Sequence, residues 1–134
     1  MNRLRGTISA VESAGHVRLV DVNVNGATFS AILLEATDRL RPGATVTLAF
    51  KETEVSLAKN LSGLISLRNR LPAQVRAVEK GQVLAKVTLD YQGLDVVSII
   101  TTRSAERLDI KAGDAVEALV KANEMTILHD AEAE

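Results

Sequence analysis

Apolar residues along the chain fall into short runs, and turn residues break the runs at regular intervals. The clearest run is Val83-Leu84-Ala85-Lys86-Val87-Thr88-Leu89. Its alternation is that of a strand with one face on a core. Tyr91-Gln92-Gly93 ends it with a turn. Asp95-Val96-Val97-Ser98-Ile99-Ile100 is apolar and β-branched, which predicts a buried strand. At residues 101–108 the pattern changes to hydroxyl residues followed by helix formers. This predicts one or two helical turns capped by a threonine. Lys111-Ala112-Gly113-Asp114 is a turn, with strands predicted at 115–121 and 125–128 and an earlier one at 74–78.

The same plan occurs once before. Asn2-Arg3-Leu4 recurs as Asn69-Arg70-Leu71, and Ala10-Val11-Glu12 as Ala77-Val78-Glu79. Further on, Asp38-Arg39-Leu40 matches Glu106-Arg107-Leu108, Gly43 matches Gly113, and Lys51 matches Lys121. One supersecondary unit of roughly 65 residues is present twice. Strands of the first copy are expected at 7–11, 17–24, 27–32, 45–51 and 54–57, with a short helical turn near 35–40. The expected fold is all-β: two tandem small OB-like barrels, each with one short helix, spanning residues 1–60 and 65–130.

Composition narrows the function. The 134 residues are 46% hydrophobic and 25% charged, with a formal net charge of -1. A neutral chain whose aromatics are Phe29, Phe50 and Tyr91 is poorly equipped to bind nucleic acid. It contains no cysteine, which excludes disulfides, thiolate metal sites and cysteine nucleophiles. No apolar run reaches the ~18 residues of a membrane span. The amino terminus has no signal-peptide core, so a cytoplasmic location is expected. Carboxylates in no paired acid–base spacing, and the absence of G-x-S-x-G and of a phosphate loop, argue against an enzyme.

At mid-chain stands Ser66-Leu67-Arg68-Asn69-Arg70-Leu71-Pro72. It resembles the opening motif S-A-R-N-x-L of the Mop modules, also called TOBE-type domains, with Leu67 in place of the alanine. The resemblance extends over nearly the whole second repeat. It implies binding of molybdate, or tungstate, for storage, homeostasis or sensing. Carried over by position, it implies an oxyanion site of Ser66, Arg68, Thr101, Ser104 and Lys121, with no directly coordinated metal. These are residue types that suit a tetrahedral dianion, which needs compensating charge and several directed donors. Singly, each has a plainer reading. Thr101 and Ser104 read as a helix cap, Lys121 and Arg68 as solvated or ion-paired surface cations, and Asn69 as a backbone-holding side chain.

The first repeat departs from the motif. Met1 stands where Arg68 does, Leu33 replaces Thr101 and Ala36 replaces Ser104, while Lys51 is kept. It is therefore expected to act as scaffold, or as a second wall for a site shared between the modules. The resemblance further implies a homo-oligomer, as does size, because a module this small buries only about 60% of its unfolded surface. Two alternatives come from other classes. One is a single-stranded nucleic-acid module. The other is an interaction domain without ligand, such as the C-terminal part of a molybdate-transport ATPase or of a molybdate-responsive regulator.

Overall fold

The computed structural model describes residues 1–34 and 39–129. Ten strands run in order: β1 (Asn2–Ala14), β2 (Val17–Val24), β3 (Ala27–Leu33), β4 (Thr45–Phe50), β5 (Ser56–Ala58), β6 (Asn69–Lys80), β7 (Leu84–Tyr91), β8 (Leu94–Thr101), β9 (Ala115–Val120) and β10 (Thr126–His129). Helix α1 (Thr102–Arg107) follows β8, and 3₁₀ turns occupy Glu52–Glu54 and Ala122–Glu124. The helical turn expected near 35–40 falls largely outside the described residues. Among the described residues, no helix is long and apolar enough to cross a membrane.

The chain forms two compact units. The first takes in Met1, Arg3–Phe50 and the chain from Lys121 onward; the second takes in Asn2 and Lys51–Val120. Each holds one five-stranded sheet, ordered β10-β4-β1-β2-β3 in the first and β5-β9-β6-β7-β8 in the second. The all-β expectation of small OB-like barrels holds. Leu4, Ile8, Val22, Phe29, Leu48 and Phe50 fill the first core; Leu71, Val87, Leu89, Tyr91, Val96 and Val120 fill the second.

The curl originates in one long strand of each unit. In the second, β6 pairs with β9 over residues 69–74 and with β7 over residues 74–80, and its register shifts between Val75 and Ala77. β1 carries the same bulge between Ile8 and Ala10, the equivalent repeat position. The extra residue, Ser9 or Arg76, bends the strand and increases its twist. Beside it the ladder is completed by a turn. The Val75 N–H donates to the Asp114 carbonyl at 2.8 Å, and the Val75 carbonyl accepts from the Gly113 N–H at 2.7 Å. Ile8 does the same with Ala44 and Gly43, at 2.9 and 2.8 Å.

This change of partner explains why β1 and β6 outrun the strands expected at 7–11 and 74–78. The bulge breaks the alternation, so the first half of each strand is masked in the sequence pattern. Asn69-Arg70-Leu71-Pro72 therefore lies in a strand and not in a loop. Pro72 is tolerated because this half of β6 is bonded to β9 and not yet to β7. The hairpins β2–β3 and β7–β8 are closed by Asn25-Gly26 (φ 49° and 90°) and Gln92-Gly93 (φ 51° and 86°). Two positive φ angles give the turn whose twist matches the strands. The side chains of Asn23 and Asp90 accept from the Gly26 and Gly93 N–H at 3.1 and 2.8 Å.

The compact units cut the chain differently from the spans 1–60 and 65–130. β5 comes from the first copy, yet it pairs with β9, Ser56 opposite Leu119. β10 comes from the second copy, yet it pairs with β4, Thr126 opposite Ala49. After β4 and after β9 the chain takes one 3₁₀ turn and enters the other unit's sheet. The two segments have the same strand pattern, and pattern alone does not say which sheet a strand will join. A fragment of residues 1–60 would thus lack β10 and keep β5 without its partner. Such a fragment is expected to have no folded monomer. Its circular-dichroism melt should be absent at low concentration and rise with concentration as copies exchange strands.

Candidate functional site

Thr101 is the last residue of β8 and the N-cap of α1, with extended backbone (φ −69°, ψ 146°). Its Oγ1 accepts from the Ser104 N–H at 3.0 Å and donates to Ser104 Oγ at 2.9 Å. The capping role read from the sequence is therefore present. The two hydroxyls also stand together at an accessible edge, Thr101 exposed and Ser104 half-buried. The next residue, Thr102, turns inward. Its Oγ1 donates to the Gly81 carbonyl and its N–H to the Val83 carbonyl, each at 2.8 Å. These bonds pin the helix start to the β6–β7 turn.

Ser66 and Arg68 are exposed on the segment leading into β6. Among the described residues Arg68 has no hydrogen-bond or ion-pair partner, whereas Arg70 is committed. The Arg70 Nε and Nη2 donate to the two carboxylate oxygens of Glu117 at 2.7 Å each, a fork-to-fork pair across β6 and β9. Asn69 is fully buried in β6. Its counterpart Asn2 shows what such a carboxamide does. The Asn2 Oδ1 accepts from the Val97 N–H and its Nδ2 donates to the Val97 carbonyl, both at 2.8 Å. It supplies backbone-like bonds to the edge of β8.

Lys51 and Lys121 occupy equivalent places. Each follows a strand in extended conformation (φ −73° and −71°) and precedes a 3₁₀ turn without a side-chain cap bond. Both are exposed, and their ammonium groups have no partner among the described residues. Lys121 thus lies just past β9, and Glu117 faces Arg70. Because of the strand exchange, Lys51 belongs to the second unit with Ser66, Arg68, Thr101 and Ser104, while Lys121 belongs to the first. Of the five candidate residues, then, four share a compact unit, and only Thr101 and Ser104 are in direct contact. Sequence pattern gave no signal for Lys51 joining that unit. In the first unit Leu33 ends β3, and Ala36 lies outside the described residues. A cavity of about 620 Å³ in that unit, lined in part by Ile32, Leu33, Arg39, Asn123 and His129, contains none of the five.

The second unit thus carries a hydroxyl pair at a helix start, and Lys51 and Arg68, whose side chains have no partner among the described residues, belong to the same unit. The chain belongs to the TOBE domain family, whose profile matches residues 1–57 and 65–127. The molybdenum import ATP-binding protein ModC of Brucella abortus (strain 2308) is 35% identical over 120 residues, covering 89% of this chain and 32% of ModC. The chain thus spans about a third of that relative's length. Molybdenum-pterin-binding protein 3 of Clostridium pasteurianum is 45% identical over 65 residues, 48% of this chain and 96% of that protein. A solved structure of the cytoplasmic molybdate-binding protein ModG with molybdate bound is similar at a TM-score of 0.90 and 30% identity, covering 96% of this chain and 95% of ModG.

The Arg70 pairing holds the Glu117 carboxyl below the usual carboxylate range, its hydrogen bonds to the guanidinium being the main cause. A carboxyl depressed in the folded state contributes stability above its unfolded pKa of about 4.3, and loses it as pH falls through the lower folded value. Glu117→Gln should therefore melt below the parent at pH 7. The gap should close as pH falls below about 4, which thermal melts across pH 7 to 3 would measure.

Proposed function

We propose that this chain binds molybdate, or tungstate, reversibly and without turnover, in the cytoplasm, for storage, homeostasis or sensing. The observation that carries the reading is the similarity to ModG with molybdate bound, over 96% of the chain. The hydroxyl pair of Thr101 and Ser104 and the uncommitted Arg68 support it from the residues. In this reading Arg68 and a lysine compensate the dianion, and Ser66, Thr101 and Ser104 supply directed donors. Lys121 is the lysine carried over by repeat position; Lys51 is the one inside the compact unit with the other four. No nucleic-acid or membrane partner is part of the reading. A homo-oligomer is.

A second reading is favoured by the match to ModC, which covers 89% of this chain. Here the chain corresponds to the accessory part of an importer, and the anion it holds would report on import. Both readings require the same ligand.

Calorimetry with molybdate, tungstate, sulfate and phosphate tests the ligand. Binding of the first two and not the others is expected; no binding of molybdate would refute the reading. A charge-assisted hydrogen bond contributes about 1.5–3 kcal/mol, so Arg68→Ala should weaken molybdate by about tenfold to a hundredfold. Lys51→Ala and Lys121→Ala, titrated in parallel, decide which lysine serves. Ser104→Ala separates capping from binding. Its N–H still bonds Thr101 Oγ1, so the melting temperature should hold while affinity falls. Thr101→Ala should lose both, with about 1 kcal/mol of stability going with the cap. If Ser104→Ala binds as the parent does, the hydroxyl pair is a cap and nothing more.

Self-association has its own check. Val17, Leu34, Val83 and Leu84 are exposed apolar side chains, 42%, 72%, 70% and 54% accessible. Light scattering at micromolar concentration should give a mass well above the 14.3 kDa of one chain. A monomer would count against the oligomer.

A further inference from the structure

Helix α1 has six residues. A helix so short does not hold itself together, since isolated helices below about 12–15 residues are marginal even in favourable sequences. Its start is fixed by Thr101 and Thr102. Its far end is fixed by a residue from the other sequence repeat. The Lys59 ammonium donates to the Leu108 carbonyl at 2.9 Å and to the Asp109 carbonyl at 2.8 Å, and meets Asp114 Oδ2 at 3.1 Å. An ammonium has three donors, and here three acceptors face it. The two carbonyls are the kind a helix end leaves without an intrahelical partner. Asp114 is itself held, accepting from the Lys111 N–H at 2.9 Å. These bonds keep its carboxyl below the usual range, with the Lys111 N–H first and Lys59 second among the causes.

Lys59 also begins the segment that carries Ser66 and Arg68. Among the described residues, no hydrogen bond or ion pair holds residues 60–68. Leu64, in the middle, is wholly exposed, and Asn60 and Gly63 turn the chain at φ 58° and 84°. The segment is tethered by Lys59 at one end and by Asn69, buried in β6, at the other. The strand exchange makes this possible, because β5 delivers Lys59 to the second unit. At the equivalent repeat position stands His129, the last residue of β10, which has two ring nitrogens and cannot present three donors.

We propose that Lys59 is a positioning residue for the anion site. It clamps the end of α1 to the start of the Ser66–Arg68 segment, so that the helix-start hydroxyls and the opening motif are held in one arrangement. The proposal rests on the oxyanion reading for its ligand, but the clamp has a readout of its own. Lys59→Met keeps the aliphatic stem and removes the donors. Amide hydrogen exchange of residues 102–108, measured without any anion, should speed up in Lys59→Met and stay near the parent rate in Lys59→Arg. Molybdate affinity by calorimetry should fall about tenfold in Lys59→Met and recover most of the loss in Lys59→Arg.

Asp114→Ala distinguishes positioning from simple attraction. It removes a negative charge, so an effect of charge alone would strengthen anion binding, whereas loosening the clamp weakens it. Weaker binding in Asp114→Ala together with faster α1 exchange is the expected result. Unchanged α1 exchange in Lys59→Met, unchanged molybdate affinity there, or stronger binding in Asp114→Ala would each overturn the proposal. A parent protein that binds no molybdate would overturn the function proposed above, and the exchange rates would still decide the clamp.

Discussion

Everything in each unit depends on one strand serving two partners. β6 bonds to β9 over residues 69–74 and to β7 over residues 74–80, β1 likewise lies between β4 and β2, and the bulge just past the change of partner bends the strand within its second pairing. Without it, the sheet would be flat and open, with no enclosed core for Leu71, Val87 and Tyr91 to fill. The bulge comes after the stretch of β6 that pairs with β9, Asn69 opposite Val120, and the segment with Ser66 and Arg68 leads into that stretch. The end of β8 runs into α1.

The polar chemistry of the second unit divides into groups that are occupied and groups that are not. Arg70 and Glu117 satisfy one another; Lys59 is saturated by two carbonyls and a carboxylate; Thr102 is bonded to the β6–β7 turn. Arg68, Lys51 and the Thr101–Ser104 edge have capacity to spare. Framework residues are thus fixed by mutual pairing, whereas Arg68 sits on a segment, residues 60–68, that no hydrogen bond or ion pair holds among the described residues.

Much of this was legible in the sequence. Alternation in residues 83–89 placed β7, and Tyr91-Gln92-Gly93 marked the turn after it. A hydroxyl residue ahead of helix formers placed α1 and its Thr101 cap. The repeat announced two similar barrels. The unreadable parts share one cause: they depend on which partner a segment meets. β5 and β10 carry interchangeable patterns, so their exchange leaves no mark in composition or periodicity. The first half of β6 reads poorly because it faces β9 alone, and the strand changes partner at Gln74 and bulges at Arg76. Lys59 reads as an ordinary linker lysine, since its acceptors are 49 and 50 residues away. Thr101 and Ser104 were visible as a pair, but capping and anion binding call for the same residues in the same order.

The crossing of β5 and β10 sets the unit of heredity apart from the unit of packing. A duplicated gene segment encodes most of one barrel and a single strand of the other. A substitution at Leu57 acts on the sheet that holds Glu117, and one at Ile127 on the sheet that holds Leu48. Neither copy can drift by itself, because each must go on fitting a neighbour descended from its sibling. Recombination that swaps one repeat between related genes therefore changes both barrels at once, and a change in strand shape in one copy selects for its answer in the other.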